Sequence, residues 1–226
     1  MRDFSRHLHD INSTGAMCLD GSPAGIYFSK GYGDGINKTV MFFNGGGWCY
    51  GQNPDEVKQS CYNRTFTRYG TTNTSVIPEW TDVNGGPDYW FSGYSDDNIN
   101  TYNWNRFWII YCDGTGHQGY IEETQVVNGK NIYFRGWNNT MAHLNFIFSL
   151  MPPELTDSFM VTGCSAGGLA VITWLDTIAG MIHARNPAVK LFGLADSGFF
   201  VDYPSYKTGN YEYTGNIKAV VELANK

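Results

Sequence analysis

A single serine stands between two glycines in "MVTGCSAGGLA" (160–170), at the spacing Gly163-x-Ser165-x-Gly167. A serine hydroxyl becomes a nucleophile when a sharp turn presents it and a base takes its proton. The run "SFMVTG" (158–163) reads as a strand and the small-residue segment after Ser165 as a helix. That is the strand-turn-helix setting in which this spacing marks a nucleophile elbow. There the helix N-terminus directs backbone N–H groups at developing negative charge, so the N–H of Ala166 is the first oxyanion donor. A second donor should follow an earlier strand, and "TVMFFN" (39–44) runs into Gly45-Gly46-Gly47-Trp48, whose amides at Gly46 and Gly47 are unshielded. Each pattern alone has a plainer reading, as an ordinary strand-helix turn or a flexible glycine turn. Together, in this order and each at a strand end, they point to acyl transfer through Ser165.

The base and the acid are harder to find. Hydrolases of the α/β class order their triad Ser…Asp/Glu…His along the chain, and only His183 follows Ser165. Carried along the intervening helix, it would lie roughly 27 Å away. His7, His9, His117 and His143 all precede the serine. Asp113 and His117, in "CDGTGHQG", and Trp48, in the glycine loop, are candidates to line a pocket, although His117 has a plainer reading as a polar loop residue. Asp196 in "LADSGFF" is the best-placed acid, yet Asp-Ser-Gly is also an ordinary turn. No spacing of His, Asp and Cys suits a metal, and no phosphate-binding glycine loop precedes a helix, so no cofactor is expected.

These residues need elements to hold them. Continuous apolar runs at 39–44, 106–114, 158–163 and 189–198 read as strands buried on both faces, with helical periodicity at 137–150 and 166–185 between them. The alternation implies a single α/β domain over 1–226 with a mainly parallel sheet flanked by helices. Residues 51–105, rich in Asn, Gly, Thr, Trp and Tyr, read as long loops over the sheet edge.

The formal net charge is −6, and the 15 Lys and Arg are scattered singly, which offers no basic stripe for nucleic acid. No apolar run reaches the roughly 18–20 residues of a membrane span. The N-terminus "MRDFSRHLHD" lacks the apolar core of a signal peptide and, taken literally, is cytosolic. Other features oppose that reading. Asn-x-Ser/Thr acceptor sites occur at Asn12, Asn37, Asn63, Asn73 and Asn138. Of five cysteines, Cys49 and Cys61 flank a polar loop that a disulfide would staple in an oxidising compartment, the alternative being five thiols. The partners of Cys18, Cys112 and Cys164 are left open. The expectation is a piece of a longer, secreted protein whose signal segment is absent.

The motifs converge on a resemblance. "AMCLDGSPAGIYF" (16–28), "FNGGGWCY" (43–50) with Cys61 and Arg64, "NWNRFWIIYCDGTGHQG" (103–119), "YFRGW" (133–137), "GCSAGGLA" (163–170) and "LADSGFFVDY" (194–203) resemble, in order, the pectin acetylesterase/Notum family of secreted carboxylester hydrolases. The resemblance implies an α/β-hydrolase-like fold, Ser165 as nucleophile, Ala166 and the Gly45–Trp48 loop as oxyanion hole, and a Cys49–Cys61 disulfide. It also implies that the catalytic Asp and His lie downstream of this chain. The substrate would be an acylated polysaccharide, such as acetylated pectin, or an acylated protein. A second reading is a non-catalytic secreted module whose Trp80, Tyr89, Trp90, Tyr94, Tyr102 and Trp104 stack on sugar rings.

Overall fold

Successive side chains of a strand point to opposite faces, and in this chain both faces are apolar. The computed structural model describes residues 4–76 and 91–224. Its elements are β1 (Ser5–Leu8), α1 (Ile11–Thr14), β2 (Gly25–Ser29), β3 (Lys38–Phe43), α2 (Pro54–Arg64), β4 (Asn105–Ile109), β5 (Gln125–Val127), β6 (Lys130–Ile132), α3 (Gly136–Leu150), β7 (Ser158–Cys164), α4 (Ala166–His183), β8 (Lys190–Asp196) and α5 (Glu212–Ala224). Six strands form one sheet in the order β1-β2-β4-β3-β7-β8, and β5 and β6 form a separate hairpin. The four strands from β4 to β8 are mutually parallel, while β1 and β2 join antiparallel. This is an α/β-hydrolase-like architecture, with the mostly parallel sheet the sequence implied.

Met41 and Phe43 of β3, Phe107 and Ile109 of β4, and Phe159 and Val161 of β7 pack under Leu144 and Ile147 of α3 and Ala170, Trp174 and Ile178 of α4. The alternate residues, Val40, Phe42 and Trp108, face the other way and cluster with Phe4, Ala16, Ala24 and Phe91, which lie outside the named helices, and with Ala142 of α3. Burying apolar surface stabilises by about 25 cal/mol per Å², so the side chains of β3, β4 and β7, buried on both faces, contribute a large favourable share. A third cluster, including Leu19, Trp48, Tyr111, Phe134, Ala166 and Val220, lies around the loops and α5.

Three expectations need correction. Burial on both faces holds for β3, β4 and β7, but β8 is largely exposed: Leu191 and Ala195 pack toward α4, while Phe192 and Leu194 on the opposite face are exposed among the described residues. Residues 51–105 are not all loop, because α2 occupies 54–64. Its signal was local: the Asn53 side chain accepts from the Glu56 amide, Glu56 returns bonds to Asn53 Nδ2 and the Gln52 amide, and Pro54 opens the helix. Only Val57 and Cys61 of α2 are buried, which left no periodicity to find. Finally, α4 is by itself long and apolar enough to cross a membrane, contrary to the sequence estimate. Its apolar side chains Ala170, Val171, Trp174, Ile178 and Ile182 are spent on the sheet, as in the core helix of a globular domain.

Candidate active site

Adjacent parallel strands end level with one another, and that is what assembles the site. Phe43 of β3 is in register with Gly163 of β7, so the glycine loop and Ser165 leave the sheet side by side. Ser165 sits between β7 and α4 at φ 57°, ψ −118°, a left-handed conformation that a non-glycine residue adopts only when its surroundings enforce it. The enforcement is steric. A Cβ at Gly163 would lie 2.4 Å from the Gly167 carbonyl oxygen, and one at Gly167 would lie 1.9 Å from that of Phe43. The turn closes only with hydrogen at both positions, which explains the spacing of the motif. The Ser165 amide donates to the Asp196 carbonyl at 3.0 Å, bracing the elbow from β8. Among the described residues the Ser165 hydroxyl has no hydrogen-bond partner, and the residue is partly buried.

The glycine loop approaches equally closely. A Cβ at Gly45 would meet the Cys164 carbonyl oxygen at 2.2 Å and Ser165 Cβ at 3.2 Å. Gly46 and Gly47 have φ of 138° and 63°, and a side chain on Gly46 would strike the Tyr69 ring. Ala166 opens α4, so its N–H belongs to the positive end of an 18-residue helix immediately behind the serine. Gly45 and Ala166 are thus the residues the structure brings directly against Ser165, with Gly46 and Gly47 following Gly45 in the loop.

The loop is held from several directions. Cys49 is bridged to Cys61 of α2, with Cα atoms 5.1 Å apart, and its amide donates to the Gly114 carbonyl. A second bridge, Cys18–Cys112, ties the N-terminal segment to the exit of β4; the sequence left this pairing open, and Cys164 takes part in neither bridge. His117 Nε2 lies 2.9 Å from the Asn44 carbonyl oxygen, to which it donates. The ring stacks on Tyr111 and meets Phe43 edge-on, and its own carbonyl accepts from Thr140 and Trp174.

His117 and Asp113 therefore play a different part from the one expected. Both are buried, at 2% exposure, and neither faces the cavity. Burial holds the His117 pKa below the ordinary histidine value, against the opposing pull of Asp113. Asp113 closes its own turn, accepting from the Thr115 amide and hydroxyl, and packs against Gly136. Burial likewise pushes Tyr111 well above the usual phenol range, so its neutral hydroxyl accepts from the Gly116 amide. Trp48 lines a cavity of about 240 Å³, together with Leu169 of α4, Gly116, and Tyr213, Ile217 and Val220 of α5; Ser165 is not part of its lining. Asp196 stands in register with Cys164, and its carboxylate accepts from the neighbouring Ser197 hydroxyl.

No described histidine is hydrogen-bonded to Ser165. His183 ends α4, bonded to the Val189 carbonyl, and His9 is paired with the buried His143 at 2.8 Å. Tyr69, in irregular chain, and Tyr213, in the first turn of α5, were not singled out from the sequence, and Phe200 entered only within the 194–203 motif, because isolated aromatics have no period to read. Among the aromatics proposed as a sugar platform, Trp80, Tyr89 and Trp90 lie outside the described residues. Tyr102 packs edge-on against Tyr32, Trp104 lies beneath Lys38, and Tyr94 is exposed.

With this geometry in place, comparison with known proteins is decisive on ancestry: residues 5–226 match the profile of the family described as pectinacetylesterase. The chain belongs to that family. Among pectinacetylesterase relatives, pectin acetylesterase 7 of Arabidopsis thaliana is 31% identical over 209 residues, covering 91% of this chain and 48% of that protein. The palmitoleoyl-protein carboxylesterase NOTUM of Homo sapiens is 26% identical over 203 residues, covering 88% and 37% respectively. The crystal structure of the Wnt deacylase Notum from Drosophila superposes with a TM-score of 0.81 at 24% identity, covering 99% of this chain and 61% of that one. The chain thus spans about half the length, or less, of the curated relatives it matches.

Proposed function

We propose that this chain carries the nucleophile and oxyanion hole of a serine carboxylester hydrolase. Ser165 Oγ attacks the carbonyl carbon of an O-acyl group while a general base takes its proton. The carbonyl oxygen becomes an oxyanion held by the N–H groups of Ala166 and the Gly46/Gly47 loop. Collapse expels the alcohol, which regains the proton, and water then releases the acyl group from Ser165 as the acid. The observation that carries this reading is the sterically closed elbow at Ser165 lying against Gly45. The names of the relatives support an ester substrate, either acetyl on a pectin-like polysaccharide or a fatty acyl on a protein.

The base and acid of the triad are, on this reading, supplied from outside the 226 residues, because each described histidine is committed elsewhere. Two disulfides fit an oxidising, extracellular setting. For glycan attachment Asn12, Asn37, Asn63 and Asn73 are exposed. Asn138, within α3, donates its Nδ2 to the Thr14 carbonyl, and the Thr140 of its acceptor site is fully buried, so a glycan there would oppose the fold.

The test uses a fluorophosphonate probe on the full-length protein. Stoichiometric label on Ser165, lost in Ser165→Ala together with several orders of magnitude in kcat, is expected. Turnover of acetylated pectin or an acyl ester without label at Ser165 would show that another nucleophile acts. The 226-residue chain alone should turn over p-nitrophenyl acetate slowly; rapid, Ser165-dependent turnover would place the base among its own histidines.

A further inference from the structure

We propose that Arg64 is a positioning residue of the oxyanion hole, its guanidinium holding the carbonyls of Gly46 and Trp48 so that the Gly47 N–H faces the acyl oxygen. The assignment rests on the esterase reading of Ser165. Arg64 closes the last turn of α2, three residues after Cys61, so the disulfide and the guanidinium reach the loop from one face of that helix. Nη1 and Nη2 both donate to the Gly46 oxygen at 3.1 Å, and Nη1 also reaches the Trp48 oxygen at 3.5 Å.

The consequence for catalysis follows from the planarity of the peptide. In a trans peptide the C=O of one residue and the N–H of the next point in opposite directions. Trp48–Cys49 is secured at both ends, its carbonyl by Arg64 and its N–H by the Gly114 carbonyl. Gly46–Gly47 is secured only at its carbonyl, and among the described residues the Gly47 N–H donates to no protein acceptor. The guanidinium grips one side of that peptide and leaves its donor aimed the other way. Glycines at φ 138° and 63° have no side-chain barrier to peptide rotation, so the direction of this N–H must be imposed from outside.

Arginine suits the task better than lysine. Its planar fork spans two acceptors and stacks between aromatic faces, and here the guanidinium carbon lies 5.0 Å from the Tyr69 ring and 5.4 Å from that of Tyr111. Tyr69 also fills the space beside Gly46, so ring and guanidinium together form the floor on which the loop rests.

The experiment compares Arg64→Lys and Arg64→Met with the wild type in the full-length protein, checking near-UV circular dichroism and the Cys49–Cys61 bridge first. Two readouts follow. In amide hydrogen exchange by mass spectrometry, the 44–49 peptide should exchange at least about tenfold faster in Arg64→Met, with the core strands unchanged. In steady-state kinetics kcat should fall roughly 10- to 100-fold with KM within about threefold, since losing one oxyanion donor outright costs about 10²–10³. Inhibition by a trifluoromethyl ketone, which forms a tetrahedral adduct on serine, should weaken by the same factor as kcat, and Arg64→Lys should lie between the two. A merely structural arginine would lower thermal stability without this matched loss. Unchanged loop exchange, or kcat within twofold in both folded variants, overturns the assignment. Turnover that survives Ser165→Ala overturns the esterase reading instead, while the exchange measurement still reports whether Arg64 holds the loop.

Discussion

Three neighbouring parallel strands end in three different ways. β3 runs into a glycine loop pinned by a disulfide, a histidine and an arginine, and β7 runs into a turn that admits no side chain at two positions. β8 ends at Asp196 and leads into a stretch whose Phe199, Tyr203, Tyr206 and Tyr211 are exposed. The backbone of β8 still serves the site, because its last carbonyl receives the Ser165 amide. The tightest backbone constraints thus lie at the ends of β3 and β7, where the reacting atom is proposed to be held, while Phe192 and Leu194 on one face of the next strand are exposed among the described residues.

The sharpest way to break this contrast is at Gly167. Gly167→Ala places a methyl group 1.9 Å from a backbone oxygen of β3, which no rotamer can relieve. The elbow must open or β3 must move, and we expect a loss of at least about 3–5 kcal/mol, comparable to the largest single-substitution effects. Urea unfolding would measure it; a loss below about 1 kcal/mol would mean that the turn is not closed as described.

The pH dependence of stability tests the underside of the same region. His117 lies beneath the loop with its pKa depressed by burial, the Asp113 carboxylate pulling the other way, and His143 is held well below the ordinary value by burial and by His9. The unfolded chain takes up these protons as pH falls through about 6.5, whereas the folded protein resists them until its lower pKa is reached. Between those values the unfolded state binds more protons, so stability falls as pH falls, with a slope approaching about 1.4 kcal/mol per pH unit for each such histidine. His9, brought to about 4, should stop contributing below that pH. Thermal melts from pH 7.5 to 5 should show the decline. His117→Gln, which can keep a donor to the Asn44 carbonyl without titrating, should reduce the slope; an unaltered slope would remove His117 from the account.

What could be read from the chain and what could not follows from the range of the interactions. The elbow and the glycine loop were visible because strand, turn and helix are written contiguously, and β3, β4, β7, α3 and α4 because their apolar runs are continuous or periodic. Arg64 was visible only through resemblance, since its role depends on α2 returning to a loop 18 residues earlier. The Cys18–Cys112 bridge spans 94 residues and could not be paired by spacing. His117 read as a polar loop residue, with a pocket as the weaker candidate, because a polar side chain in a glycine-rich loop is ordinarily solvated. Here Tyr111, Phe43 and Trp174 close over it, a fact that belongs to tertiary packing. The apolar run of β8 misled in the opposite direction: hydrophobicity reports what a strand would bury, not whether a neighbour is there to bury it.

The smallest expected effects lie on β8 itself and sharpen the comparison from its permissive side. A Cβ on Gly193 would meet Leu175 Cδ2 at 2.5 Å, but that atom is the end of a flexible side chain and can turn aside, unlike the backbone oxygen facing Gly167. Gly193→Ala should therefore cost less than about 1 kcal/mol, with the repacking of Leu175 offset by the lower chain entropy of alanine when unfolded. Phe192→Thr, on the face exposed among the described residues, should stay within about 0.5 kcal/mol, because a ring 49% exposed has little burial to lose and threonine keeps the strand preference. Both are measured by urea unfolding of the 226-residue chain. If the same Phe192→Thr change costs 2 kcal/mol or more in the full-length protein but not in this chain, the face of β8 is covered there by sequence outside these residues. Equal, small costs in both would leave β8 as an exposed strand and confine the rigid part of the sheet to the ends of β3 and β7.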